Sequence, residues 1–324
     1  MTQFTKEEYG KIAESLHQFN GFYFQTRSAR KYPYPIAAHT LGNIGEVDKK
    51  DLEKDTYYKS GDYIGKSGIE SFYENELRGE KGLKIIVVDV HNREKESFEE
   101  GKFDTLPIAG KDIFLGLDAE LQLYGEALMK NKTGSIVAIE PSSGEVLALI
   151  SSPSYDPNEL VGRVRGDNYR RLLNDSLKPL INRATSGIYP PGSTFKMINA
   201  LIALQSGAVH PNSLISCEGP ESQPIRCTHN HSSPLDIYEA IENSCNPYFW
   251  KVFKQMFSMP RFASSKEAYN YWYNNVISFG LGNTYKTDIP SEVSGNIPTA
   301  EFYDKMYRGV WNSMTVRSLS IGQG

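Results

Sequence analysis

Short apolar runs bounded by turn residues predict β-strands in parts of this chain. Residues 135–141 and 145–150 are two apolar runs joined by a Ser-Ser-Gly turn at 142–144, which is the pattern of a tight β-hairpin. Two further runs, 22–26 and 83–90, predict strands nearer the N-terminus.

Apolar residues elsewhere recur at three- and four-residue spacing, which predicts helices. A helix is expected over 5–19 with Thr5 as its N-cap, another over 69–78 that Gly79 ends, and a third over 119–129. In the second half of the chain the pattern becomes mostly helical. The mixture predicts an α+β fold.

A change in composition predicts a domain boundary. The stretch 92–102 is charged and is expected to be weakly structured, and it follows the strand predicted at 83–90. We therefore predict two domains, residues 1–105 and residues 106–324. No segment of the chain repeats, which excludes a solenoid.

Composition narrows the class of protein. The chain has 324 residues, of which 39% are hydrophobic and 23% charged, as is ordinary for a globular protein. A net charge of -4 gives no indication of nucleic-acid binding. No apolar run approaches the roughly 18 residues that a membrane span requires, and the first residues are too polar for a signal peptide. The sequence as it stands predicts a soluble polypeptide.

One stretch carries candidate chemistry, Tyr-Pro-Pro-Gly-Ser-Thr-Phe-Lys at 189–196, followed by the apolar run 197–204. The run predicts a buried helix with Ser193 at its N-terminus. Ser193 and Lys196 share one face of that helix, so the amine is expected to reach the hydroxyl. Burial is expected to lower the pKa of Lys196 and let the neutral amine activate Ser193, whose own backbone N–H is suited to stabilising an oxyanion. The stretch therefore predicts acyl transfer.

The pattern Ser-x-x-Lys is weak evidence by itself. Ser28 and Lys31 match it as well, in a segment that predicts no buried helix. The commoner fate of such a pair is an N-cap serine followed by a solvated lysine. The Pro-Pro-Gly entry and the apolar helix behind it distinguish Ser193 from Ser28.

A second candidate, Ser244-Cys245-Asn246, follows about fifty residues later. A helix over 234–241 is expected to lead into it. In a bent loop, Ser244 and Asn246 point to one side while Cys245 points back. Ser244 is then placed to relay a proton between Lys196 and a leaving group, and Asn246 to hydrogen-bond a substrate amide.

The two motifs in this order, the hairpin before them, and the segments 60–79 and 152–158 together resemble the class B penicillin-binding proteins, most closely the elongation type. The resemblance covers nearly the whole chain. It implies an α+β protein in which a non-catalytic pedestal, or dimerisation, domain over 1–105 precedes a penicillin-binding transpeptidase domain of the serine β-lactamase type over 106–324.

The resemblance also implies a reaction, D,D-transpeptidation of peptidoglycan stem peptides. It makes Ser193 the acylated nucleophile, Lys196 its base, and Ser244 and Asn246 the second motif. Ser193 attacks the penultimate carbonyl of D-Ala-D-Ala, and an amine of a neighbouring stem resolves the acyl-enzyme. β-Lactams mimic that substrate and are expected to trap Ser193.

The same resemblance implies a setting. Catalysis needs no cofactor, and the expected partner is a membrane glycosyltransferase of the elongation machinery. The full-length parent is expected at the inner membrane with its catalytic domain outside the cytoplasm. One alternative is a non-catalytic scaffold of the wall-synthesis complex that binds the glycosyltransferase through residues 1–105. Another is a serine β-lactamase or β-lactam sensor, although neither needs so long a leading domain.

The sequence departs from the family at its third motif, a Lys-Thr-Gly on a strand downstream of the second. Lys-Thr-Gly at 132–134 precedes Ser193 and is expected in the turn before the hairpin. Lys-Thr-Asp at 286–288 has the right order but lacks the glycine and comes too early. We therefore expect a piece truncated at both ends, without the N-terminal membrane helix of the family, that itself acylates poorly or not at all.

The cysteines suggest a metal site. Cys217, Cys227 and Cys245 fall within 29 residues, with His229 and His231 among them. Three thiols and an imidazole form a tetrahedral zinc set, so we predict a structural zinc at the three cysteines and His231, which we favour over His229. Such a metal holds the second motif from behind, and some elongation-type members look able to bind zinc near this loop. The alternative is a Cys217–Cys227 disulfide with Cys245 free, since the family works outside the cytoplasm.

Overall fold

The structure is a computed structural model that describes residues 4–15, 18–19, 29–90 and 94–323. It forms two compact units. One comprises Met1–Gly187 with Tyr285–Glu292, and the other comprises Ile188–Thr284 with Val293–Gly324. The domain boundary predicted near residue 105 lies within the first of these units and stays a prediction.

The first unit mixes short helices with three antiparallel strand pairs. Its helices are α1 (Lys6–Ala13), α2 (Ala38–Leu41), α3 (Lys49–Lys54), α4 (Gly68–Phe72), α5 (Glu74–Leu77), α6 (Ala119–Leu128), α7 (Arg165–Asn174) and α8 (Arg183–Ser186). Its strands are β1 (Ile44–Glu46), β2 (Tyr63–Gly65), β3 (Ile86–Val88), β4 (Glu94–Ser97), β5 (Gly134–Ile139) and β6 (Val146–Ser152), which pair as β1–β2, β3–β4 and β5–β6.

The β5–β6 hairpin confirms the strongest strand prediction. The two strands are antiparallel along their whole length, with a register shift between Ala138 and Ile139. Helix α6 is tied to β6 by Gln122, which is 1% exposed. Its amide accepts from the N–H of Leu149 at 2.8 Å and donates to the carbonyl of Leu149 at 3.1 Å. The helix and the hairpin therefore share a buried polar contact as well as apolar packing.

Helix α1 begins as predicted and ends early. Thr5 is the N-cap and forms a capping box with Glu8, which satisfies two backbone N–H groups at the helix start. The helix ends at Ala13, whereas the sequence pattern predicted about residue 19. No residue of α1 is buried, and a helix without a packed face has little to extend it.

The helix predicted over 69–78 is two helices, α4 and α5, separated at Tyr73. The carboxylate of Glu74 accepts from the N–H of Gly65 and from the hydroxyl of Tyr58, both at 2.7 Å. These bonds hold the first residue of α5 at the end of β2 and interrupt a continuous helix. Gly79 adopts a positive φ of 65° after α5, as its predicted role requires.

The prediction of a weakly structured stretch over 92–102 is wrong for its described residues. They include β4, which pairs with β3, and a 3-10 turn over Phe98–Gly101. Strand β4 reads Glu-Lys-Glu-Ser and lies mostly exposed, so it has no alternating apolar face that a sequence pattern can reveal. The strand predicted at 22–26, and Ser28, lie outside the described residues.

The second unit is mainly helical. Its helices are α9 (Lys196–Ser206), α10 (Ile237–Glu242), α11 (Asn246–Phe257), α12 (Ser265–Ser278) and α13 (Ala300–Tyr307). Its core is aromatic, with Trp272 of α12 packed against Phe253 of α11 at 6.0 Å and against Tyr269 at 5.4 Å between ring centroids. The described helices include none with the length and apolar character needed to cross a membrane. The content of the two units confirms the α+β class.

Candidate active site

The predicted nucleophile lies where two helical geometries meet. Ser193 belongs to a 3-10 turn over Gly192–Phe195, and α9 begins directly after it at Lys196. The helix predicted from the apolar run is therefore confirmed; it ends at Ser206, and the next residue, Gly207, has a left-handed conformation. The Ser193 side chain is exposed, whereas Lys196 is only 2% exposed.

Lys196 Nζ is the centre of the polar contacts at this place. It donates to the carbonyl of Ser244 at 2.7 Å, to Ser244 Oγ at 3.0 Å and to Asn246 Oδ1 at 2.6 Å. Three acceptors match the three hydrogens of an ammonium group. Within the described part of the chain, no hydrogen bond joins Nζ to Ser193 Oγ. The structure thus gathers Lys196, Ser244 and Asn246, with Ser193 one turn away on the exposed side.

The buried environment of Lys196 makes its amine more acidic. Burial lowers the pKa of Lys196 from its ordinary 10.5 to about 8, because desolvation disfavours the charged amine. At pH 7.5 roughly a quarter of such amines are neutral, against about one in a thousand for a lysine with an ordinary pKa. The sequence predicted this direction, and the structure confirms it.

The Ser-Cys-Asn segment has the alternation that the sequence predicts. Ser244 and Asn246 face Lys196, while Cys245, which is 0% exposed, faces Cys217 and Cys227. The turn between α10 and α11 achieves this through a positive φ of 49° at Ser244. Such a conformation is uncommon for a residue other than glycine and is concentrated at functional sites.

A segment that no sequence pattern marks as functional contacts the nucleophile turn. A 3-10 turn over Arg317–Ile321 is followed by Gly322, whose carbonyl accepts from the N–H of Gly192 at 2.9 Å. A Cβ atom added to Gly322 would lie 2.2 Å from the carbonyl oxygen of Gly192. The only sign of this contact in the sequence is the glycine itself, because its partner lies 130 residues away along the chain.

The predicted metal ligands come together in the second unit. One ligand atom from each of Cys217, Cys227, Cys245 and His231 lies within 4.8 Å of the other three. In a tetrahedral zinc site with ligand bonds of about 2.0–2.3 Å, the ligand atoms are about 3.3–3.8 Å apart, so a small contraction of this cluster suffices. The three cysteines are free thiols and are buried.

Neighbouring groups orient these ligands. His231 Nδ1 lies 2.7 Å from the carbonyl of Ser232, which makes Nδ1 the donor and leaves the lone pair on Nε2, 3.2 Å from Cys227 Sγ. The N–H of Gly219 donates to Cys217 Sγ at 3.4 Å. The chemistry of this donor set therefore fits zinc.

The cluster of three cysteines and His231 is also joined to the second motif by a hydrogen bond and by the chain. Asn246 Nδ2 donates to the carbonyl of Arg226 at 3.3 Å, directly before Cys227. Cys245 belongs to the cluster and separates Ser244 from Asn246 in the chain. The cluster therefore lies directly beside both side chains that contact Lys196.

The two Lys-Thr sequences considered for the third motif lie in the first unit. Gly134 is the first residue of β5, so Lys132 and Thr133 occupy the turn before the hairpin, as predicted. In the second, the N–H of Thr287 donates to Glu292 at 3.3 Å, and Asp288 accepts from the hydroxyl of Tyr73 at 3.2 Å. Both sequences therefore lie in the first unit, and the contacts of Thr287 and Asp288 are with residues of that same unit.

Comparison with known families gives two matches along the chain. The family model described as the penicillin binding protein transpeptidase domain matches residues 134–323. The model described as the penicillin-binding protein dimerisation domain matches residues 1–115. Among curated proteins, the chain is 33% identical over 337 residues to the peptidoglycan D,D-transpeptidase MrdA of Salmonella typhimurium, a match that covers 99% of this chain.

Solved structures give the same picture. The complex between penicillin-binding protein PBP2 and MreC from Helicobacter pylori matches with a TM-score of 0.83 and 28% identity, over 100% of this chain and 59% of that one. A peptidoglycan synthase complex, described as coordinating polymerization and crosslinking, matches with a TM-score of 0.75 and 26% identity, over 99% of this chain and 56% of that one. The chain spans about half the length of the curated relatives it matches, 51% for the Salmonella protein.

Proposed function

The chain belongs to the penicillin-binding proteins, with a dimerisation domain followed by a transpeptidase domain, and from that premise we propose that it acts in peptidoglycan D,D-transpeptidation through a serine acyl-enzyme. One observation carries the proposal. Lys196, whose pKa is lowered to about 8, contacts Ser244 and Asn246 one turn after an exposed Ser193. That arrangement joins a nucleophile, a base, a proton relay and an amide-binding group.

These positions support the following first half of the reaction. Neutral Lys196 takes the proton of Ser193 Oγ, and Oγ forms a bond to the penultimate D-Ala carbonyl carbon. The backbone N–H of Ser193 stabilises the negative charge that develops on the carbonyl oxygen. The proton then passes from Lys196 through Ser244 Oγ, 3.0 Å away, to the nitrogen of the departing D-Ala as the peptide bond breaks.

The second half reverses these roles. The amine of a neighbouring stem peptide attacks the ester carbonyl carbon of the acylated Ser193, and its proton returns to Ser193 Oγ by way of Lys196. Asn246, which Lys196 holds by Oδ1, uses its amide group to orient the peptide of the acyl donor. A β-lactam enters the same path but leaves no departing amine, so the acyl-enzyme persists.

Labelling with a fluorescent penicillin tests the proposal. The full-length protein is expected to take up one label, which peptide mass spectrometry locates on Ser193. Ser193→Ala is expected to abolish the label, while Thr194→Ala keeps it, because the neighbouring Thr194 hydroxyl donates to the carbonyl of Pro191 at 2.8 Å and has no assigned role in the reaction. A folded protein that takes up no label supports the non-catalytic scaffold instead.

We also propose that Cys217, Cys227, Cys245 and His231 hold a structural zinc, which would fix the Ser244–Asn246 segment from behind. Elemental analysis of protein purified without chelator is expected to give one zinc per chain. His231→Ala is expected to weaken zinc retention, whereas His229→Ala, outside the cluster and exposed, retains it. A zinc-free protein whose mass is lower by two hydrogens supports the disulfide alternative.

The setting that we propose is wall elongation at the outer face of the inner membrane, beside a membrane glycosyltransferase, with residues 1–105 as the pedestal. A related structure, described as a peptidoglycan synthase complex that coordinates polymerization and crosslinking, supports this setting. Co-purification of a glycosyltransferase with the full-length protein from membranes tests this. Recovery of the protein alone, at detergent levels that preserve other membrane complexes, contradicts it.

A further inference from the structure

Helix α9 carries a buried amide one turn beyond Lys196. Asn199 is 6% exposed, and its Nδ2 donates to the carbonyls of Leu319 and Ser320, both at 3.0 Å. Its Oδ1 accepts from the indole N–H of Trp272 at 2.8 Å. Because carbonyls only accept and an indole N–H only donates, the orientation of this amide is fixed.

The two carbonyls belong to the turn that contacts the nucleophile. They lie in the 3-10 turn Arg317–Ile321, and the next residue, Gly322, has a positive φ of 69° and accepts the N–H of Gly192 at 2.9 Å. A Cβ atom at position 322 would lie 2.2 Å from the carbonyl oxygen of Gly192, so only glycine fits there. The backbone at 322 is therefore hydrogen-bonded directly to the backbone at 192, with no space for a side chain at 322.

These contacts close a ring. Asn199 holds the turn at 319–320, the turn holds Gly192 through Gly322, and Gly192 is joined by the chain to Ser193, Lys196 and Asn199. A short 3-10 turn at a helix end has poorer hydrogen-bond geometry than an α-helix and frays readily. The ring supplies a second anchor for the turn that carries the Ser193 hydroxyl.

We propose that Asn199 is a positioning residue for acyl transfer. It fixes the 317–322 turn, which in turn fixes the place of Ser193 Oγ relative to Lys196 Nζ. This inference rests on the proposed function for the reaction that it serves, but the geometry it claims is testable separately. The competing interpretation is that Asn199 is only a satisfied polar residue of the core, with no effect beyond global stability.

The experiment compares two alanine variants on the same helix in the full-length protein. Asn199→Ala breaks the ring. Ser206→Ala removes another buried polar group, whose Oγ donates to the carbonyl of Ala203 at 2.8 Å and accepts from the N–H of Ala208 at 3.2 Å, at the far end of α9. Both variants are expected to lower the melting temperature, so Ser206→Ala controls for loss of stability.

Two readouts separate the interpretations. For Asn199→Ala, the acylation rate constant with a fluorescent penicillin is expected to fall by about tenfold to a hundredfold at an unchanged Kd for the initial complex. Hydrogen exchange of the amides at 192–196 is expected to become faster. Ser206→Ala is expected to keep the wild-type value in both. An Asn199→Ala protein with wild-type acylation and wild-type exchange at 192–196 overturns the proposal, as does a Ser206→Ala protein that loses as much.

Two further outcomes are informative: an Asn199→Ala protein that does not fold, and a wild-type protein that is not acylated. If Asn199→Ala does not fold, Asn199→Ser, which keeps one hydroxyl donor for the two carbonyls, is expected to give the same changes at reduced size, and wild-type behaviour there overturns the proposal. If the wild-type protein is not acylated, the proposed function fails, whereas the exchange comparison between Asn199→Ala and Ser206→Ala still decides whether Asn199 holds the turn.

Discussion

Lys196 is buried, and the groups that accept its hydrogen bonds are neutral. Its three hydrogen-bond acceptors are a carbonyl, a hydroxyl and an amide, and the described residues supply it with no ion pair. The ring of Phe249 lies 5.7 Å from Nζ and adds a weak attraction for the cation. Neutral acceptors replace only part of the hydration that burial removes, so the balance favours loss of the proton. That balance is what allows a lysine to act as a base near neutral pH.

This acidity predicts a pH dependence. The acylating form has neutral Lys196, so the acylation rate constant is expected to rise with pH up to a pKa of about 8 and to level off above it. Well below that pKa the rate constant falls about tenfold per pH unit, since the neutral fraction does. Stopped-flow or gel measurement with a fluorescent penicillin between pH 6 and 10 checks this. A rate that still rises between pH 9 and 10 shows a base with an ordinary lysine pKa, and a flat profile excludes a titrating base.

At the scale of elements, the α6–hairpin contact gives a stability prediction. Gln122→Met keeps the length of the side chain but leaves the N–H and carbonyl of Leu149 without their partner in a buried place. The free energy of unfolding is expected to fall by roughly 2 kcal/mol, within the range for unsatisfied buried polar groups. Urea unfolding measures it, with Glu120→Gln on the exposed side of α6 as the control. Equal stability of the two variants shows that solvent reaches the backbone of β6.

The elements also show what the sequence can and cannot reveal. Helix α9 and the β5–β6 hairpin were predictable because their apolar residues leave a local pattern, with helical spacing in α9 and two apolar runs around a Ser-Ser-Gly turn in the hairpin. Strand β4 was not, because backbone pairing alone defines it and its side chains are charged and exposed. The split between α4 and α5 depends on side-chain bonds from Glu74 to residues of other elements, which no local pattern encodes.

The residues of the site can also be divided into those that the sequence reveals and those that it does not. Ser193 with Lys196, and Ser244 with Asn246, are short motifs within one or two turns, so their spacing could be recognised. The proposed zinc ligands are suggested by unusual clustering of cysteines in 29 residues. The ring through Asn199 joins residues 120 positions apart, and its only trace in the sequence is a polar residue inside an apolar run. Contacts of that separation become visible only when the chain has folded.

At the scale of the whole molecule, the zinc proposal predicts that metal removal acts on one unit. All four proposed ligands, and the Ser244–Asn246 segment that they hold, belong to the unit formed by Ile188–Thr284 and Val293–Gly324. A metal that binds only the folded state stabilises the unit that contains its ligands, so its removal is expected to open that unit first.

Hydrogen exchange before and after treatment with a strong chelator measures this difference. Peptides over 217–231 and 243–247 are expected to exchange about tenfold faster or more without metal, and those of the β5–β6 hairpin to remain unchanged, because the hairpin belongs to the other unit. Readdition of zinc restores protection, and His231→Ala is expected to exchange like the chelated protein even when zinc is present, whereas His229→Ala behaves like the wild type. If hydrogen exchange becomes equally faster in both units, the chelator destabilises the whole fold, and this result contradicts a local zinc site. Unchanged protection throughout shows that the cysteine cluster is held by its own packing, since the buried thiols then need no cation to keep Ser244 and Asn246 in contact with Lys196.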